Sequence, residues 1–117
     1  MEFKLKEFIS DRYSKAITIL NDNFKENYHV FYGVRLSEIL FPASNYGTDD
    51  FFNEFEAINS ITLPLVVFEM NECKPVVIIG FEQIAGAVFI EQSGIKVLVI
   101  DNLSGLLTNA TLELFFQ

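Results

Sequence analysis

Few residues in this chain carry chemistry by type and spacing. One histidine and one cysteine stand among 117 residues. Cys73 therefore has no disulfide partner within the chain, and His29 alone could join it at a zinc ion, two ligands short of a closed structural site. His29 lies in an apolar, alternating run with no base or nucleophile at a useful spacing, as expected of a packed or hydrogen-bonded strand histidine rather than a catalytic base. Cys73 falls between Glu72 and Lys74 in a polar turn, where an inert exposed thiol is expected unless a cation lowers its pKa. Gly80 and Gly86 are isolated and build no phosphate-binding loop. No motif requires a cofactor.

The abundant chemical groups are carboxylates. Sixteen acidic residues face eight basic ones, for a net charge of −8. The imbalance is local: residues 1 to 37 carry six basic and five acidic groups, whereas residues 38 to 117 carry two and eleven. Nucleic-acid binding needs a basic stripe that displaces counterions from phosphates. Only the first segment could supply one, through Lys4, Lys6, Arg12, Lys15, Lys25 and Arg35. Acidic residues are interleaved with these six, so a solvated helix face is the plainer expectation.

The elements that must position these groups follow from hydrophobic periodicity. Half of the residues are hydrophobic and thirteen are Phe, which excludes disorder, and the length is that of one domain spanning residues 1–117. No apolar run approaches the roughly 20 residues of a membrane span. Charges flank every apolar residue of Met-Glu-Phe-Lys-Leu-Lys-Glu at the start, so it does not read as a signal peptide. A cytoplasmic protein is expected. Leu5, Phe8, Ile9, Tyr13, Ala16, Ile17, Leu20 and Phe24 recur at helical steps and predict a first helix of five or six turns. His29 to Leu36 alternates as a strand, with Val30, Tyr32 and Val34 on one face and Phe31 and Arg35 on the other. Asp49 or Asp50 can cap a second helix through Phe51, Phe52, Phe55 and Ile58.

Two β-branched runs, Ile61 to Glu69 and Pro75 to Glu82, read as a central hairpin. Pro64 requires its strand to begin there or to lie at an edge. Gln83 to Gln92 reads as a helix apolar on all sides, covered on its second face either by another copy of the chain or by the C-terminal segment. Ile95 to Ile100 is the last clear strand, and the tail from Leu103 fits a helix or a strand. The expectation is an α/β (α+β) domain, with a central mixed four-stranded sheet flanked by helices in the order α-β-α-β-β-α-β-α. The final strand should run parallel to a neighbour.

Four segments give this order a family likeness: Val34-Arg-Leu-Ser-Glu-Ile-Leu40, Phe55-Glu-Ala-Ile-Asn-Ser-Ile61, Pro75-Val-Val-Ile-Ile79 and Glu91-Gln-Ser-Gly-Ile-Lys-Val-Leu98. With them the chain resembles an uncharacterised bacterial branch of the PD-(D/E)XK, or restriction-endonuclease-like, phosphodiesterase superfamily. Its size and acidity also resemble those of small proteins carried on bacterial mobile gene cassettes. The superfamily resemblance implies a divalent cation held by an Asp at the second strand and by an acid-x-Lys at the third. Here the second strand opens Thr62-Leu63-Pro64-Leu65 with no Asp, and no Lys stands two residues after Glu82. The nuclease reading therefore rests on Glu82, joined by Asp49 or Asp50. The competing expectation is a module without catalysis that binds itself or another protein, such as a basic partner it inhibits. Its apolar contacts would be Ile84, Val88, Phe89, Phe115 and Phe116.

Overall fold

A computed structural model describes residues 1–117. Helix α1 spans Asp11–Asn23, capped by the Ser10 hydroxyl, which accepts from the Tyr13 N–H at 3.3 Å. The helix is therefore shorter than its apolar stripe predicts, and Leu5, Phe8 and Ile9 lie outside it. Strand β1 (Tyr28–Arg35) leads through a 3-10 turn at Leu36–Glu38 to α2 (Asp49–Asn59). The cap of α2 is Thr48, whose hydroxyl accepts from the Phe51 N–H at 3.2 Å. Asp49 and Asp50 occupy the first turn instead, where their charge opposes the positive end of the helix dipole. Strands β2 (Thr62–Glu69) and β3 (Lys74–Gly80) form the expected hairpin.

Helix α3 covers only Ala87–Gln92, because Gly86 takes φ +76° and breaks helical geometry before it. Strand β4 (Lys96–Val99) pairs parallel to β3, as a helical crossover requires. The tail divides into α4 (Gly105–Thr108) and α5 (Ala110–Glu113), after which Phe116 bridges antiparallel to Phe24. The tail is thus helical, in two short turns, and of the strand reading only the single Phe116 bridge remains. No helix is long and apolar enough to cross a membrane.

The sheet order is β1-β2-β3-β4, antiparallel except for the last pair. Helices cover both faces. Ala16 and Leu20 of α1 and Phe24 just after it, with Leu106 and Leu112, pack on Leu65, Val67, Val77 and Ile79. On the opposite face Leu36, Ile58, Ile84 and Ile90 pack with Leu63, Val66 and Ile78. Each fully buried Leu or Ile is worth roughly 1.5–3 kcal/mol of transfer free energy, so neither layer is dispensable. Pro64 lies inside an interior strand rather than at an edge. It is tolerated because the β1–β2 ladder skips the Gly33/Pro64 position and pairing with β3 begins only at Leu65. Gly33 has φ +75° at this gap, and the side-chain alternation inverts across it. Tyr32 and Leu65 belong to the first layer, whereas Val34 and Leu63 belong to the second. That separates Val34 from Val30 and Tyr32, which periodicity alone had put on one face.

The hairpin turn is tied by Glu69. Its carboxylate accepts from the Asn71 and Glu72 N–H groups at 2.8 and 2.9 Å and from the Asn27 amide at 3.2 Å. Partial desolvation pushes the Glu69 carboxyl up, but these hydrogen bonds and the Lys74 charge outweigh it and hold the pKa below the ordinary carboxylate value. A depressed folded-state pKa stabilises the fold above the unfolded carboxyl's pKa of about 4.3, and the contribution is lost as pH falls through the lower folded value. Glu69→Gln should therefore melt below wild type at pH 7, with the gap closing under strongly acidic conditions. Thermal melts across pH check this, and a gap independent of pH would refute it.

Candidate functional site

Glu82 lies just past the end of β3, exposed on the rim of a cleft of about 470 Å³ where β1 and β3 end and β2 begins. Phe8, Tyr13, Tyr32, Thr62 and Gln83 contribute to its walls. The cleft is positioned by α1. The Tyr13 hydroxyl accepts from the Phe81 N–H at 3.1 Å. The Arg12 guanidinium sits 4.0 Å from the Phe81 ring centroid and donates to the Asp101 carbonyl at 2.6 Å. Arg12 thus clamps the first helix onto the strand ends. Glu82 is the one carboxylate lining this cleft; Asp49 and Asp50 stand at the start of α2 and are not part of it. Nowhere do three or more His, Cys, Asp or Glu side chains gather as metal ligands.

The remaining reactive and basic residues are dispersed. His29 is exposed on β1, and Cys73 is exposed in the hairpin turn at φ 56°, its thiol donating to the Met70 carbonyl at 3.5 Å. Lys15 pairs with Asp11 at 2.9 Å, and Lys25 reaches the Leu114 carbonyl at 3.5 Å. Lys4 and Lys6 lie on the segment that precedes α1, so the six basic residues do not form one helical stripe.

The most distinctive surface is aromatic. Tyr46, before α2, meets the edge of Phe51 at 5.0 Å, Phe51 meets Phe52 at 5.4 Å, and Phe51 stacks with Phe55 at 6.4 Å. Tyr46, Phe52 and Phe55 remain exposed. Glu54 holds the preceding loop against the helix, accepting from the Ser44 N–H at 3.1 Å and the Ser44 hydroxyl at 3.0 Å. This places Phe41, 95% exposed, beside a groove of about 400 Å³ that α2 shares with Phe89 of α3. Asp49, Asp50, Glu54 and Glu56 lie on the same helix as Phe51, Phe52 and Phe55. Between Arg35 and Lys96 the chain carries nine acidic residues and a single basic one, Lys74.

Of the five apolar contact residues expected from sequence, Val88 and Phe89 are exposed beside this groove or at its edge. Ile84 is buried in the second layer. Phe115 and Phe116 are half-buried, packed at 4.7 Å on Tyr28 and 5.6 Å on Phe24. Phe41, Tyr46, Phe52 and Phe55 were not foreseen as surface groups. The adjacent Phe51-Phe52 pair was the available signal, since neighbours 100° apart on a helix cannot both lie at the centre of one buried stripe. No family model, curated protein or solved structure matches this chain, so the restriction-endonuclease-like resemblance rests on the sequence segments alone.

Proposed function

We propose that this chain is a non-catalytic interaction module of the cytoplasm that binds a basic protein through its acidic, aromatic α2–α3 face. The observation that carries the reading is the exposure of Phe41, Tyr46, Phe52, Phe55 and Phe89 within an almost wholly acidic stretch. Exposed aromatic patches are costly in water and recur as the desolvated centres of protein interfaces. The carboxylates of this stretch supply a field that speeds encounter with a positive partner and disfavours acidic ones. Inhibition of a basic enzyme or toxin is one form such binding takes. The nuclease alternative would need further acids to converge on Glu82, the one carboxylate that lines its cleft.

The test is affinity capture from nuclease-treated bacterial lysate, comparing wild type with a Phe52→Ser/Phe89→Ser variant whose fold is verified by circular dichroism. Wild type should retain a discrete basic protein, and the variant about tenfold less or worse. Association should slow as salt rises well above 0.1 M, where the Debye length falls below about 10 Å. Equal retention by both proteins would overturn the proposal, as would retention found in a parallel capture from undigested lysate and lost from the nuclease-treated one.

A further inference from the structure

Residues 1–7 form an exposed arm outside every helix and strand, whose pattern nothing in its own chain uses. Met1, Phe3 and Leu5 alternate with Glu2, Lys4 and Lys6, the period of a strand with one buried face. Yet Met1 and Leu5 are fully exposed and Phe3 is 87% exposed. No residue before Ser10 makes a hydrogen bond. The arm enlarges the molecule: the radius of gyration is 15.7 Å, against roughly 13 Å for a compact chain of this length.

A complementary surface lies on the same chain. Strand β1 pairs only with β2, so the N–H and C=O groups of alternate residues along its eight-residue outer edge face away from the sheet, on a strand twice the length of β4 at the other edge. Neither proline nor lysine blocks that edge, and its regular part runs from Tyr28 to Tyr32, before the break at Gly33. Phe31 on β1 is exposed and lines an apolar groove of about 390 Å³ with Val34, Ile39, Phe68 and Met70. At the arm's base the Phe8 ring meets Tyr32 of β1 edge-on at 5.4 Å, so arm and edge emerge side by side.

We infer that two copies of this chain exchange arms, each adding residues 1–7 as a fifth strand to the β1 edge of the other. Met1, Phe3 and Leu5 then cover apolar surface around Phe31, and Lys4 and Lys6 stay in water. Exchange about a two-fold axis uses both arms and both edges at once, which makes it a low-cost route to a closed dimer. Two such additions would bury on the order of 1,500 Å², within the range of stable interfaces. The arm is remote in character from the α2–α3 face, and this inference stands whether or not that face binds a basic protein.

Sedimentation of the full chain over a range of concentrations provides the test, alongside a deletion of residues 2–7 and a Phe3→Glu/Leu5→Glu variant. Wild type should sediment at twice the 13.4 kDa chain mass. Both variants should be monomeric and still unfold cooperatively, at a melting temperature that no longer rises with protein concentration, because the altered residues are exposed in their own chain. Hydrogen exchange should show β1 amides protected in wild type and released by the deletion, and the Phe52→Ser/Phe89→Ser variant should still dimerise. A wild-type monomer at every concentration would overturn the inference, even one with protected arm amides, since its arm would then lie on its own edge. A dimer that survives the deletion would also overturn it.

Discussion

Truncating either Ile78 or Ile79 to alanine should cost about 3–4 kcal/mol of unfolding free energy, although the two residues are neighbours. Both are fully buried, and they point in opposite directions: Ile78 into the layer with Leu36, Ile58 and Ile90, Ile79 into the layer with Leu20, Leu106 and Leu112. A strand buried on one face would show one costly and one silent substitution. Here each removes three carbons from a filled site and leaves a cavity that neighbouring elements can only partly close. For a chain of this length, whose total stability is of order 6–17 kcal/mol, either loss should lower the melting temperature by about 10–20 °C. Val99→Ala on the half-exposed end of β4 supplies the contrast, with a cost near 0.5 kcal/mol. Denaturant unfolding of the three variants measures this directly. A cost below about 1 kcal/mol for Ile78→Ala alone would mean that the second layer is not a packed core.

The two-sided burial of β3 was legible because its code is redundant: an unbroken run from Val76 to Ile79 leaves no polar side to face water. The parallel β4 followed from the length of the crossover. What sequence did not disclose were features decided by backbone sign or by tertiary distance. Leu5 satisfies both a helical stripe with Phe8 and a strand alternation with Phe3, and Ser10 settles the matter by capping α1 at Asp11. The inversion of faces at Gly33 depends on a φ of +75° that composition does not encode. The site divides in the same way. That Glu82 would stand at a strand end followed from local order, whereas its separation from Asp49 and Asp50 depends on how α2 docks. The exposed rings of α2 were hidden by a general ambiguity: periodicity marks an apolar face but not what covers it.

Gly86 joins that aromatic face to the fold, and replacing it should be the most damaging change available outside the core. Its φ of +76° disfavours any L residue by about 1–2 kcal/mol. An added Cβ would also lie 2.9 Å from Ile61 Cδ1 and 3.4 Å from Leu36 Cδ2. The Ile61 contact is the tip of a side chain, so alanine can be admitted by a shift, whereas the branched methyls of valine press on the buried Leu36 as well. Gly86→Ala should therefore cost about 2 kcal/mol and Gly86→Val about 3–4 kcal/mol, the excess being overpacking. Gly94 separates the two causes. It has φ +95° but open space where a Cβ would go, so Gly94→Ala should cost only the backbone strain, about 1–2 kcal/mol. Equal costs for Gly86→Val and Gly94→Ala in denaturant unfolding would show that the junction with Leu36 and Ile61 is loose. The larger cost at Gly86 would instead show that α3 is fixed rigidly at its start, three residues before Phe89. An exposed ring held on a rigid helix loses little further freedom when a partner covers it. If Phe89 binds a basic partner as proposed, partner retention should fall in Gly86→Val even below its melting temperature.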